Sequence, residues 1–409
     1  MCLSIMQYML HRARQEDADM VQGGGTAVFD LGALQYNLKL MRQAVNGTQE
    51  IMACVKANAY GHGSETVARC LEDQGVQWLA VGTAAEAIAL RHSGITSRIL
   101  LFPVVGERPN KLLYNAGITI SIQSYPEAEG LARDIGASTS VFLKVDSGLG
   151  RFGASTTDAV QIVGQIVSNL PSIRLEGLFT HLPFFDAKDV PWVQAQLLEF
   201  GRCVASIREI VKAPLLVQAL ASSGIIFRLD APGTNAVCPG LLLYGIESPS
   251  PAVALGKASL LGTRPVLKEI SSVLGGIREI PPDTRYGFGG ALVAHKKTRL
   301  GVIPMGFSNS LLVSRDGQVA NVLGCVVPIV AVSLEQAVLD ITDIPGAYDG
   351  CPVILLSRDP AYRLPLDEVA RRQRRSPVEV LVSLTSSCNR SYLGTGDAPA
   401  TADKAKGRN

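Results

Sequence analysis

From residue 26 to about residue 245, short apolar runs alternate with amphipathic stretches. The runs at 51–55, 78–81, 99–102, 118–122, 141–145, 175–180 and 216–220 are rich in apolar residues. Several are almost wholly apolar, as parallel strands buried on both faces are. Between them, segments 33–45, 64–73, 84–92, 126–134, 157–169 and 190–211 carry apolar residues at helical spacing. Seven or so strand-then-helix units in series predict an α/β fold, a (β/α)₈ barrel of TIM type, with a doubly wound sheet as the alternative. After about residue 255 the rhythm changes. Runs at 268–274, 299–304, 319–332, 337–341 and 353–356 are strand-like and separated by turns, and a helix pattern returns only at 366–374. That describes a second, mostly β domain. The expected organisation is an N-terminal extension (1–25), a barrel (26–254), a β-rich C-terminal domain (255–393) and a tail (394–409). The tail's Gly, Ala, Thr, Asp and Lys show no apolar period, which predicts disorder.

Composition narrows the classes. With 47% hydrophobic and 18% charged residues in 409, the chain can bury two cores. A net charge of +2, from 38 basic and 36 acidic side chains, makes no electrostatic case for nucleic acid or an anionic membrane as partner. The basic cluster of Arg371, Arg372, Arg374 and Arg375 reads as a solvent-facing helix end. No run reaches the roughly 18–20 apolar residues of a membrane helix. Residues 1–25 lack the order of basic head, apolar middle and small-residue cleavage site of a secretory signal. Eight cysteines without a CxxC pair read as free, mostly buried thiols of a reducing compartment. A cytoplasmic enzyme without a metal site is expected.

The chemistry concentrates at Val55-Lys56-Ala57-Asn58-Ala59-Tyr60-Gly61-His62-Gly63. An apolar strand ends in a lysine and passes at once into a polar, glycine-containing loop. In a barrel, strand carboxyl ends converge on the active site. A lysine there lies against an apolar wall, and desolvation frees its amine to attack an aldehyde. Taken alone, the same residue reads as a surface lysine closing a strand.

The nine residues resemble the cofactor-attachment signature of alanine racemases, enzymes dependent on pyridoxal 5′-phosphate (PLP). The resemblance implies that Lys56 carries PLP covalently and acts as one acid/base group, and that Tyr60 binds the cofactor phosphate. Further segments are similar to the family in the same order. Residues 141–153 include Arg151, matched to the arginine that contacts the cofactor's phenolic oxygen and the substrate carboxylate. They also include Lys144, matched to a lysine that is carbamylated in some members and steers that arginine. Residues 177–182 place His181 on the histidine that packs against the pyridine ring. Segments 219–224 and 238–245 match the phosphate site, with the Ser223 hydroxyl, the Gly240 and Leu241 amides and Tyr244. Glycine permits such close approach, and backbone N–H groups bind anions. Arg285-Tyr286-Gly287 resembles the segment carrying the second base, which implies that Tyr286 reaches the active site of a partner subunit in a homodimer. A racemase needs two such bases, one on each face of the substrate's α-carbon. A tyrosine, with an ordinary pKa near 10, needs positive neighbours such as Arg151 to act near neutral pH.

The chain also departs from the family. Cys238 stands where the family places an arginine against the pyridine nitrogen, and a thiol is only a weak donor. Leu334 stands where a methionine contributes to the carboxylate site. Residues 306–310 and Ser386 also differ, toward a wider or altered pocket. The sequence therefore implies an isomerase that interconverts L- and D-alanine through Lys56 and Tyr286. It leaves open another racemisation, a β-elimination or a decarboxylation on the same fold, or a non-catalytic PLP-binding protein.

Overall fold

The computed structural model describes residues 24–45, 49–106, 111–184, 186–247, 261–312 and 317–394. Strand β1 (Thr26–Asp30) comes first. Eight parallel strands then close a barrel: β2 (Glu50–Cys54), β3 (Trp78–Val81), β4 (Arg98–Leu101), β5 (Ile118–Ile122), β6 (Thr139–Lys144), β7 (Ile173–Phe179), β8 (Leu216–Ala221) and β9 (Ala236–Cys238). The doubly wound alternative is excluded by this closure. The helices Ser64–Asp73, Ala84–His92 and Val190–Val211 coincide end to end with the expected segments. Their boundaries are legible because the caps are local. Thr83 and Glu86, for example, form a reciprocal capping box on Ala84–His92.

The barrel interior holds a cluster of Met52, Trp78, Ala80, Leu100, Phe142 and Phe179. Burial of side chains this large stabilises by about 1.5–3 kcal/mol each. The eighth strand was not foreseen. At three residues, β9 is too short to stand out as an apolar run, and only pairing defines it. Ala236 faces Gln218 of β8 on one side and Glu50 of β2 on the other.

The chain divides into two compact units. Among the described residues, those from Asp30 to Val266 form one, and those from Leu267 to Leu393 form the other together with 24–29. The boundary expected at 254/255, the extension to residue 23 and the tail from 395 lie outside the described residues. The expected start of the barrel at residue 26 is corrected, since β1 pairs with β10 (Leu267–Val273) in the C-terminal unit. Its alternating burial suits a sheet covered on one face, and a barrel strand would be buried on both.

In that unit β11 (Gly275–Ile280) was not foreseen. It is followed by the two-residue strands β12 (Arg285–Tyr286) and β13 (Leu292–Val293), and by β14 (Thr298–Ile303). The run 319–332 breaks into the hairpin β15 (Val319–Val322) and β16 (Cys325–Val332), because Leu323 and Gly324 both adopt positive φ in a two-residue turn. Then come β17 (Ala337–Asp340), β18 (Pro352–Ser357) and β19 (Asn389–Leu393). The nine-stranded order is β11-β14-β17-β16-β15-β18-β10-β1-β19. Helix Pro377–Thr385 was missed because valine and threonine favour strands. Ser376 and Glu379 cap it. Arg371 and Arg372 face solvent and pair with Glu368. Among the described residues no helix is long and apolar enough to cross a membrane, and no cluster of three metal-ligating side chains occurs.

Candidate active site

Lys56 follows β2 and opens a turn of unusual hand. Ala57, Asn58, Ala59 and Tyr60 have φ of 52°, 53°, 53° and 52°, a left-handed turn built without glycine. Such residues cost roughly 1–2 kcal/mol each, and strain of this kind persists only where its surroundings hold it. Backbone bonds from Ala59 N to Val55 O (2.8 Å) and Gly61 N to Ala57 O (2.9 Å) close the turn. Its effect is to place Lys56 and Tyr60 together on the wall of one cavity of about 430 Å³ at the strand carboxyl ends.

Of the residues expected to hold the cofactor phosphate, Tyr60, Ser223, Gly240 and Leu241 line this cavity. Gly240 has φ of +50°, and a Cβ there would sit 3.5 Å from both the Tyr60 hydroxyl and the Ser222 Oγ. The absent side chain therefore leaves a small cradle between two hydroxyls, of the size and polarity a phosphate group needs. Ser222 was missed in the sequence, where one serine of the pair had to be chosen. Its Oγ accepts from Leu242 N (3.3 Å) and donates to the Pro239 carbonyl, while the Ser223 Oγ accepts from Phe184 N (3.4 Å). These residues fit PLP: hydroxyls for the phosphate, an amine for the aldehyde, and an apolar wall of Phe102, Phe179 and Phe184 for the ring.

Arg151, Lys144 and His181 lie on the same wall. Asp146 shapes the loop that carries Arg151, accepting from the amides of Gly148 (2.9 Å), Leu149 (2.8 Å) and Gly150 (2.8 Å). Gly153 ends the loop at φ +118°, where a Cβ would fall 2.6 Å from Asp146 N, so only glycine fits. Lys144 is 5% exposed and donates to the Val145 carbonyl at 2.9 Å. Burial, helped by the Arg151 charge, holds its pKa down to about 7 against the pull of Asp146. Burial also lowers His181 to about 4, with Lys144, Lys56 and Arg151 adding to the effect, so its imidazole is neutral near pH 7.

Cys238 lines the cavity at the end of β9, with Cys54 from β2. The two thiols interact with each other, which lowers the Cys54 pKa and, with burial, raises that of Cys238. The Tyr60 hydroxyl also donates to the Cys54 Sγ, at 3.3 Å. Tyr244, grouped with the cofactor contacts on sequence, is not on this wall. It is fully buried, donates to the Cys54 carbonyl at 2.8 Å and packs its ring 5.3 Å from that of Tyr60. It supports the site from behind.

The two remaining site residues belong to the C-terminal unit. Tyr286 lines a cavity of about 530 Å³ with Arg278, Phe288, Ser333 and Gln336. Leu334 is 55% exposed, and its carbonyl accepts from Ser308 N at 2.9 Å.

Comparison with known proteins agrees with this geometry. The family model described as "Alanine racemase, N-terminal domain" matches residues 29–248, and "Alanine racemase, C-terminal domain" matches 268–392. The alanine racemase of Sorangium cellulosum is 30% identical over 387 residues, covering 90% of this chain and 98% of that one. Alanine racemase 2 of Caldanaerobacter subterraneus is 29% identical over 382 residues, covering 90% and 94%. Among solved structures, the Streptomyces coelicolor alanine racemase superposes with a TM-score of 0.80 at 26% identity, covering 92% of this chain and all of that one. The E. faecalis enzyme gives 0.81 at 25% identity, covering 90% and 98%. The chain belongs to the alanine racemase family of PLP-dependent enzymes.

Proposed function

We propose that the protein interconverts L- and D-alanine by a two-base mechanism, with Lys56 and the Tyr286 of a second copy as the bases. The observation that carries this reading is the meeting of Lys56, Arg151 and a hydroxyl-lined cradle in one barrel cavity. PLP, when bound, supplies the electron sink that makes the substrate's α-hydrogen acidic. Tyr60, Ser222 and Ser223, with the amides of Gly240 and Leu241, hold the phosphate. Arg151 fixes the substrate carboxylate, and Lys144 buttresses it. The Lys56 Nζ takes or returns the proton on one face of the α-carbon, and the Tyr286 hydroxyl does so on the other. His181, neutral at working pH, packs without adding charge, and the phenylalanine wall excludes water.

A homodimer with shared sites is supported by the resemblance of Arg285-Tyr286-Gly287 to the family segment that carries the second base. Phe288 is 70% exposed and Phe307 46%, apolar side chains that a partner copy could cover. The seven cysteines among the described residues are unpaired, in keeping with a cytoplasmic location.

Incubating the PLP-loaded protein with L-alanine in deuterated water tests the reading. D-alanine carrying α-deuterium is the expected product. A second reading, elimination or decarboxylation on the same cofactor, is favoured by the neutral thiol of Cys238. Carbon dioxide released from L-alanine without D-alanine, or ammonia released from L-serine, whose β-carbon carries a leaving hydroxyl, would establish it instead.

A further inference from the structure

Glu86, on the first turn of helix Ala84–His92, makes contacts beyond its capping of that helix. Its carboxylate accepts three backbone N–H groups from two strand ends. Oε1 takes Asn58 N at 3.1 Å, and Oε2 takes Gly82 N at 3.0 Å and Thr83 N at 3.2 Å. Asn58 is the second residue of the left-handed turn after Lys56. Gly82 follows β3 and packs on the lysine itself, since a Cβ there would lie 3.4 Å from the Lys56 Cβ and 3.9 Å from its Cδ. One carboxylate thus joins the strained turn that carries Lys56 and Tyr60 to the loop that flanks the lysine's stem.

The remaining bonds show why an outside anchor is needed. Gly61, His62 and Gly63 donate their amides back to carbonyls within the turn. The Asn58 side chain accepts from Ser64 N at 2.7 Å, which ties down the turn's far end. At the near end, beside Lys56, the Asn58 amide points out of the turn to Glu86. A capping role for Glu86 explains the bond to Thr83, its own N-cap, but not the bond to Asn58 in a different strand–helix unit. Bonds from backbone N–H to a carboxylate are among the stronger ones available to hold a backbone in an unfavourable conformation.

We propose that Glu86 is a positioning residue that holds the Lys56–Tyr60 turn in its left-handed form and so sets the affinity for PLP. The proposal rests on reading the cavity as the PLP site, and its test separates the two. Cofactor-free protein is titrated with PLP and followed by the visible absorbance of the bound cofactor, for wild type, Glu86→Gln, Thr83→Ala and the double variant Glu86→Gln/Ala57→Gly. Glu86→Gln keeps the shape but turns an N–H₂ toward one of the backbone donors. Its PLP affinity is expected to fall on the order of ten- to a hundredfold, with a changed absorbance. Thr83→Ala removes the other half of the capping box, and is expected to lower the melting temperature while keeping wild-type affinity. Glycine at position 57 adopts positive φ freely, so the double variant is expected to regain affinity or, if the single variant fails to fold, the folded state. Wild-type affinity in Glu86→Gln, an equal loss in Thr83→Ala, or a double variant no better than the single one would each overturn the proposal. Failure of the wild type to bind PLP would instead overturn the cofactor reading.

Discussion

Gly240 and His181 show how single residues set the chemistry of the cavity. A Cβ at position 240 would lie against both cradle hydroxyls, on a backbone at φ +50° that side chains resist. Gly240→Val is expected to weaken PLP binding about tenfold or more, measured by titrating the cofactor-free protein. His181 gives a pH signature. Its pKa in the folded protein, about 4, lies below the ordinary value of 6.5. Between those values the unfolded chain binds more protons, so stability rises with pH across the window and is lost as pH falls toward 4. Replacing His181 by Asn is expected to flatten this slope in urea unfolding of the cofactor-free protein, by on the order of 1–3 kcal/mol between pH 4 and 6.5. These positions were legible in the sequence through the resemblance of segments 177–182 and 238–245 to the family. The missing volume at Gly240 and the burial behind His181 were not, because both are made by chain segments distant in sequence.

Among the elements, the loop from Asp146 to Gly153 carries the most consequence. Three amides converge on one carboxylate, and the loop's only route back to Ala154 passes through a glycine at φ +118°. Asp146→Ala is expected to raise KM for alanine on the order of tenfold, since Arg151 loses its fixed origin, while the melting temperature falls by only a few degrees. A change in kcat alone would count against this role for the loop. Elements with local signals were readable in advance: the helix Ser64–Asp73 has its apolar period, and Ala84–His92 its capping pair. Strand β9 has neither. Three residues become a strand only because β8 and β2 leave a gap of that width. The left-handed turn after Lys56 was equally hidden, for nothing in Ala-Asn-Ala-Tyr announces positive φ.

For the whole molecule, the proposal of shared sites makes a mixing experiment decisive. Lys56→Ala and Tyr286→Phe are each expected to be inactive as pure dimers. A hybrid dimer would contain one site built from two intact partners, and random reassociation is expected to restore about a quarter of wild-type activity. Activity that stays at zero after proven hybrid formation would place both bases in one chain.

The order of apolar runs was enough to specify parallel strands alternating with helices and followed by a β-rich unit, because strand burial and helix amphipathicity are properties of neighbouring residues. Closure into a barrel was decided by strand pairing. The nine-residue lysine motif specified the cofactor through its resemblance to the family, since a lysine closing an apolar strand does not by itself name one. Tertiary structure alone decided that β1 leaves the barrel for the sheet of the C-terminal unit. It alone decided that Ser222 shares the cradle, that Tyr244 lies behind the wall, and that Glu86 reaches the lysine's turn. Each of these depends on strand pairing or on a contact between different strand–helix units. Such contacts arise only when the barrel and the sheet assemble, and no run of neighbouring residues encodes them.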